Sequence, residues 1–76
     1  MRGFVLVNTQ IGEAPAVARQ LRSFPEVQSA DMVIGPYDIV AVVEVPDTRT
    51  LSTLVNEKIH GTPGVNHTIT MLSLEP

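Results

Sequence analysis

Gly35-Pro36-Tyr37-Asp38 places the chain's only tyrosine beside an aspartate. These groups can do recognition chemistry. A carboxylate accepts from an ammonium, a glycine lets backbone approach a ligand closely, and a tyrosine offers a ring face and a hydroxyl. The same residues also suit a purely structural role. Gly and Pro punctuate a hairpin, Asp38 can bond nearby backbone amides, and Tyr37 can cap the end of a core. Taken alone, the four residues leave both readings open.

The other chemistry-bearing residues are few. Two histidines, His60 and His67, and no cysteine make a thin set of metal ligands, and no carboxylate stands at ligand spacing with either. Ser23, Ser29, Ser52 and Ser73 lack the strand–turn–helix setting of an activated nucleophile. Glu13, Glu26, Asp47 and Glu57 fall at helix ends or on exposed helical positions, where a carboxylate is solvated. Gly3 and Gly12 are too isolated to cradle a phosphate. The sequence therefore holds no catalytic constellation, and neither enzyme activity, cofactor nor metal is expected.

The elements that must position the turn follow from periodicity. Phe4 to Val7 is an apolar strand ending near Thr9. Pro15 suits a first helical turn, where its missing N–H is not needed, and Ala14, Val17, Ala18, Leu21 and Phe24 keep helical spacing up to Pro25. Val27 to Ile34 and Ile39 to Val45 are strands on either side of the turn. Asp47 is placed to N-cap a second helix with the stripe Leu51, Leu54/Val55, Ile59. Gly61 stands where a left-handed C-cap belongs, with Pro63 beyond it, and Val65 to Leu74 is the last strand. The order β-α-β-β-α-β also reads as a repeat. Val5, Val7, Val17 and Leu21 have apolar counterparts 38 positions later, at Val43, Val45, Val55 and Ile59. Two βαβ halves joined by the 35–38 hairpin predict one α+β domain over 1–76, a ferredoxin-like four-stranded antiparallel sheet with two helices on one face.

A sheet with helices on one face normally alternates apolar and polar residues. Phe4 to Val7 and Ile39 to Val43 are apolar at both parities. Burying the carboxylate of Glu44 under helices would cost several kcal/mol unpaired, about 1–3 or more. Glu44 therefore points away from the helices, and Phe4, Leu6, Val40 and Val42 lie on its side. Val5, Val7, Ala41, Val43 and Val45 make the inner layer, joined by Ile69 and Met71. Covering each outer residue is worth about 1.5–3 kcal/mol before ordering costs. In 76 residues without disulfides, self-association is the expected support. Phe4, Leu6, Val40 and Val42 are accordingly the expected interface of a two-fold dimer through the sheets, with Glu44 at its rim.

Charge narrows the partners. Five Lys and Arg against eight Asp and Glu give a net charge of −3. Arg2, Arg19, Arg22, Arg49 and Lys58 are scattered rather than clustered, so direct nucleic-acid binding is not expected. The run Phe4–Val7 is too short for a secretory core, and nothing approaches the length of a membrane span. The expectation is a cytoplasmic protein.

With those residues in view, the chain resembles the effector-binding (RAM) domain of the Lrp/AsnC transcription regulators. The resemblance is carried by the G-x-Y-D turn of Gly35, Tyr37 and Asp38, by Pro63-Gly64-Val65, and by the V-x-x-T-x-T of Val65, Thr68 and Thr70. It implies sheet-to-sheet dimers that assemble into rings such as octamers or decamers, with an amino acid or similar effector bound between dimers. Gly35, Tyr37, Asp38, Thr68 and Thr70 would contact that effector. Full-length relatives carry an N-terminal helix-turn-helix domain, whereas this sequence starts at the first RAM strand. It reads as a stand-alone module that can co-assemble with full-length regulators. Two readings compete. A dimeric α+β barrel enzyme needs a polar-lined cavity between sheet and helices, and an ACT-type amino-acid-binding domain places its ligand at helix interfaces.

Overall fold

The computed structural model describes residues 1–75, so Pro76, the end of the expected domain, lies outside the described residues. Strands β1 (Arg2–Thr9), β2 (Val27–Met32), β3 (Ile39–Glu44) and β4 (Val65–Leu72) form one antiparallel sheet in the order β2-β3-β1-β4. Helix α1 (Ala14–Arg22) links β1 to β2. Helix α2 (Thr48–Thr53) continues as a π-helical turn over Leu54–Ile59 and leads to β4. β1 and β3 are the central strands, as the two βαβ halves require.

Parity decides which residues meet the helices. Val5 and Val7 on β1, with Ile39, Ala41 and Val43 on β3, are fully buried beside Val17, Ala18 and Leu21 of α1 and Leu51, Leu54 and Ile59 of the second helical segment. The intervening residues Phe4, Leu6, Val40 and Val42 are only half-buried, and Glu44 is exposed. Glu44 takes an ion pair from the Met1 ammonium at 3.0 Å, within the same chain.

β4 corrects the expected inner layer. Its register sets Thr68 opposite Val7 and Thr70 opposite Val5, so the threonines face the helices. Ile69 lies opposite Leu6 and Met71 opposite Phe4, and both are exposed, at 42% and 47%. Alternation alone could not place them, because with both sheet faces apolar an apolar side chain does not reveal its face. Three strand ends also fall short of expectation, β3 by one residue at Glu44 with Val45 still buried. β2 stops at Met32 and β4 at Leu72, leaving Ile34 and Leu74 fully exposed.

Asp47 caps α2 as expected, its carboxylate accepting from the Thr50 amide at 2.7 Å. That bond favours the anion and holds the Asp47 carboxyl below its usual range. Leu54 and Ile59 are both buried although five apart. The 3.6-residue turn of an α-helix would separate them, whereas π-type bonding brings residues five apart onto one face. The bond from the His60 amide to the Val55 carbonyl, 3.0 Å, is of this type.

The two halves end their helices with the same turn. Phe24 and Thr62 donate their amides to Leu21 and Ile59, and Val27 and Val65 donate to Phe24 and Thr62, at 3.0–3.3 Å. The halves differ at Glu26 and Gly64. Glu26 forms an ion pair with Lys58 at 2.9 Å, and the Lys58 ammonium lies 5.7 Å from the Phe24 ring centroid. The Lys58 bond holds the Glu26 carboxyl below its ordinary value of 4.5. Gly64 has φ +98°, and a Cβ there would meet Glu13 Cβ at 2.9 Å and Val17 Cγ2 at 3.0 Å. Of the two glycines after the second helical segment, this one, not Gly61, is left-handed. Gly61 is needed for space, because a Cβ would collide with the Glu57 carbonyl oxygen.

Two stability outcomes follow from these turns. Gly64→Ala combines an unfavourable φ with a collision and should cost about 2–3 kcal/mol. Gly12→Ala, at φ +82° with nothing within 4 Å of the added carbon, should cost about 1 kcal/mol. Urea denaturation of both variants against the parent checks the order. Glu26→Gln should cost about 0.5 kcal/mol near neutral pH. A depressed folded pKa contributes stability above the unfolded value and loses it as pH falls through the folded one. The gap between parent and variant should therefore close in acid, below the folded pKa of Glu26, as denaturation midpoints across that range would show.

Candidate functional site

The turn lies where the central strands end. The hairpin loop leaves β2 at Met32, and Val33 closes it by donating to the Asp38 carbonyl at 2.9 Å. Asp38 donates its own amide to the Val7 carbonyl, also at 2.9 Å, which joins the loop to β1. Asn8 Nδ2 donates to the Pro36 carbonyl at 3.0 Å. The Asp38 carboxylate turns inward along the chain. Its Oδ2 accepts from the Thr9 amide at 2.7 Å and from the Thr9 hydroxyl at 3.3 Å. The turn is thus bonded to β1 on both sides of Tyr37.

Tyr37 is half-buried and stacks on His67, with ring centroids 6.4 Å apart and planes 23° from parallel. His67 sits on β4 opposite Asn8, one residue before Thr68, so it projects to the open face of the sheet. Thr68 and Thr70 project to the helix side. Thr68 Oγ1 is 2.8 Å from His60 Nε2 at the end of the second helical segment, and Thr70 is exposed. Of the five residues expected from sequence, Gly35, Tyr37 and Asp38 therefore share the turn. Thr68 and Thr70 share the other side of an edge strand. One chain does not gather all five on one surface, and no concave pocket forms among the described residues.

Gly35 is informative because the fold does not demand it. Its φ is not in the left-handed region, and a Cβ there would meet nothing within 4 Å. The space in front of it is open to something outside the chain. His67 and Thr9 escaped the sequence reading. The antiparallel pairing of β1 with β4 is the signal that could have found them, since it brings His67 opposite Asn8 beside the turn.

The inner layer bears on chemistry too. Its buried strand residues, Val5, Val7, Ala30, Ile39, Ala41 and Val43, carry no group able to move a proton. Thr62 is the only buried polar residue among those described, and its hydroxyl donates to the Lys58 carbonyl at 2.8 Å. No group of three or more His, Asp or Glu side chains able to hold a metal occurs among the described residues. No helix among them is long and apolar enough to cross a membrane.

Comparison with known proteins gives this geometry a context. The model of the Lrp/AsnC ligand binding domain matches residues 2–76. A hypothetical protein of Pyrococcus horikoshii is similar at 32% identity and a TM-score of 0.91, over 99% of this chain and 90% of that one. A protein of Thermus thermophilus is similar at 31% identity and a TM-score of 0.93, over 99% of this chain and 94% of that one. The feast or famine regulatory protein of M. tuberculosis, in complex with L-methionine, matches at 29% identity and a TM-score of 0.80. That match takes in 99% of this chain and 50% of the regulator. No curated protein sequence matches the chain. The four-stranded sheet, its two helical segments and the family match over nearly the whole length agree, and the chain belongs to the Lrp/AsnC ligand-binding domain family.

Proposed function

We propose that this chain is an effector-binding and assembly module of the Lrp/AsnC type, in which amino-acid binding is coupled to association of copies. The observation that carries the reading is the family match over residues 2–76. The geometry supports this reading. The open sheet face, with Phe4, Leu6, Val40 and Val42 joined by Ile69 and Met71, is the surface through which two copies pair. The effector lies between pairs. The Gly35–Asp38 turn of one copy supplies Gly35 and Tyr37, with Asp38 holding the turn in place, and the β4 edge of another supplies Thr68 and Thr70. Division between copies is the economical solution, because Thr68 and Thr70 lie across the sheet from the Tyr37–His67 stack within one chain. The methionine held by the mycobacterial relative supports an amino acid as the class of effector.

Such a module would act on transcription through its assembly state, forming rings such as octamers or decamers and co-assembling with full-length regulators of the family. A ligand shared between copies binds the larger assembly better and stabilises it by mass action. The enzyme reading needs a polar cavity beneath the helices, and the apolar side chains that fill the buried part of the inner layer, with Thr68 and Thr70 only at its edge strand, favour the binding module instead.

Light scattering and calorimetry test the two halves separately. The parent should run as a dimer or a larger even-numbered species, and Val42→Glu should reduce its mass to that of one subunit. A folded single subunit for the parent at micromolar concentration would end the assembly half. Titration with the twenty protein amino acids should give heat and a rise in Tm for at least one, with about 2.7 kcal/mol of added stability at a hundredfold excess over Kd. No heat and no thermal shift at millimolar concentration of any of them would end the ligand half.

A further inference from the structure

We infer that Asp38 and Thr9 form a clamp that sets the Tyr37–His67 stack, and that this ring pair, His67 included, is the surface on which the effector packs. Asp38 then acts as a positioning residue through Tyr37, not as the acceptor of the effector's ammonium. The inference deepens the effector-site reading above and rests on it.

The Thr9 amide has no backbone partner on β3. β3 starts at Ile39, opposite Val7, so β1 runs on past the start of its neighbour. On its other side the β1–β4 register shifts between Asn8 and Thr9. The Thr9 amide at this break finds an acceptor in Asp38 Oδ2 at 2.7 Å, a short charge-assisted bond, and the Thr9 hydroxyl adds a second donor at 3.3 Å. The carboxylate thus does what a strand carbonyl would have done. With both donors on Oδ2, the carboxylate is fixed against Thr9, and what the fold asks of Asp38 is an acceptor at that one oxygen.

The residues flanking Tyr37 are held as well. Pro36 accepts from Asn8 Nδ2, and the Asp38 amide donates to Val7. Tyr37 is left between two anchored neighbours, and its ring comes to rest on His67, which the β4 ladder fixes independently. Two stacked rings 23° from parallel at the open end of the sheet, with an unobstructed Gly35 two residues before Tyr37, present polarisable ring edges and an outer ring face. Aromatic and thioether side chains pack well on such a surface.

Four variants separate the clamp from a direct ammonium contact. Asp38→Asn keeps an acceptor for Thr9 and drops the charge. Asp38→Glu keeps the charge and misplaces it by a methylene. Asp38→Ala removes both, and His67→Ala removes half the stack. In ligand-free protein, NMR contacts between the Tyr37 and His67 rings should persist in Asp38→Asn and disappear in Asp38→Ala and Asp38→Glu. Contacts unchanged in Asp38→Glu would overturn the clamp, and that variant decides the point even where Asp38→Ala fails to fold. Calorimetry uses L-methionine and L-phenylalanine as probes. Asp38→Asn should bind within about threefold of the parent, while Asp38→Glu and His67→Ala weaken binding about tenfold or more. An ammonium acceptor would show the reverse order, with Asp38→Asn losing about tenfold or more, and that result, or His67→Ala binding like the parent, would overturn the assignment. If neither probe binds the parent, the ring pair is overturned as a surface for these side chains, and the NMR contacts still decide the clamp without any ligand.

Discussion

A β-sheet that is apolar on both faces, with helices enough for one, is the constraint from which the rest of this molecule follows. The inner layer is closed by α1 and the second helical segment, and its central strand residues exclude water completely. The other face repeats the apolar pattern across three strands, with Val40, Leu6 and Ile69 in one row and Val42, Phe4 and Met71 in the next. Polar residues border this block. Asn8 and His67 lie beyond one row, and Arg2 and Glu44 lie beyond the other. A compact apolar block inside a polar rim is the pattern of a surface that meets another surface. The helices cannot provide that cover, because both are committed to the opposite side.

The ends of the two central strands set where the Gly35–Asp38 turn stands. β1 leaves the sheet at Thr9 and β3 enters it at Ile39, so their connections, the hairpin loop and the start of β4 converge at one end. Loops there are free to vary while the ladder behind them is not, which is the usual division between scaffold and site. The turn itself is not loose. Four hydrogen bonds tie residues Pro36 and Asp38 to Val7, Asn8 and Thr9, so Tyr37 is carried by a rigid support.

Much of this was legible in the sequence, and the failures share a cause. One charged residue, Glu44, was enough to tell the two faces of β3 apart, because burying an unpaired carboxylate is so costly. The counterpart spacing between Val5 and Val43 then carried the assignment to β1. Nothing equivalent exists on β4. Its threonines and apolar residues alternate cleanly, but alternation only names two faces, and the register against β1 decides which is which. That register rests on pairing between segments at opposite ends of the chain. The glycine error is of the same kind. Both Gly61 and Gly64 follow a helix, and only the path of the turn into β4 shows that Gly64 is the one at positive φ, where Glu13 and Val17 also leave no room for a Cβ. The G-x-Y-D turn was visible as a candidate. Its partners were not, since Thr9 and His67 reach it through tertiary pairing.

β1 shows why the proposed assembly and recognition would be hard to separate in such a small fold. Along one strand, Val5 and Val7 hold the helices, Phe4 and Leu6 form the centre of the open face, and Asn8 and Thr9 fasten the turn. The three tasks follow one another at a spacing of one or two residues. A strand in a ladder bonded on both sides does not shift one residue without shifting its neighbours. A surface laid over Phe4 and Leu6 therefore bears on the same segment that sets Pro36 and Asp38. Reciprocity of linked equilibria then applies to any ligand at the turn: whatever free energy association lends to binding, binding returns to association.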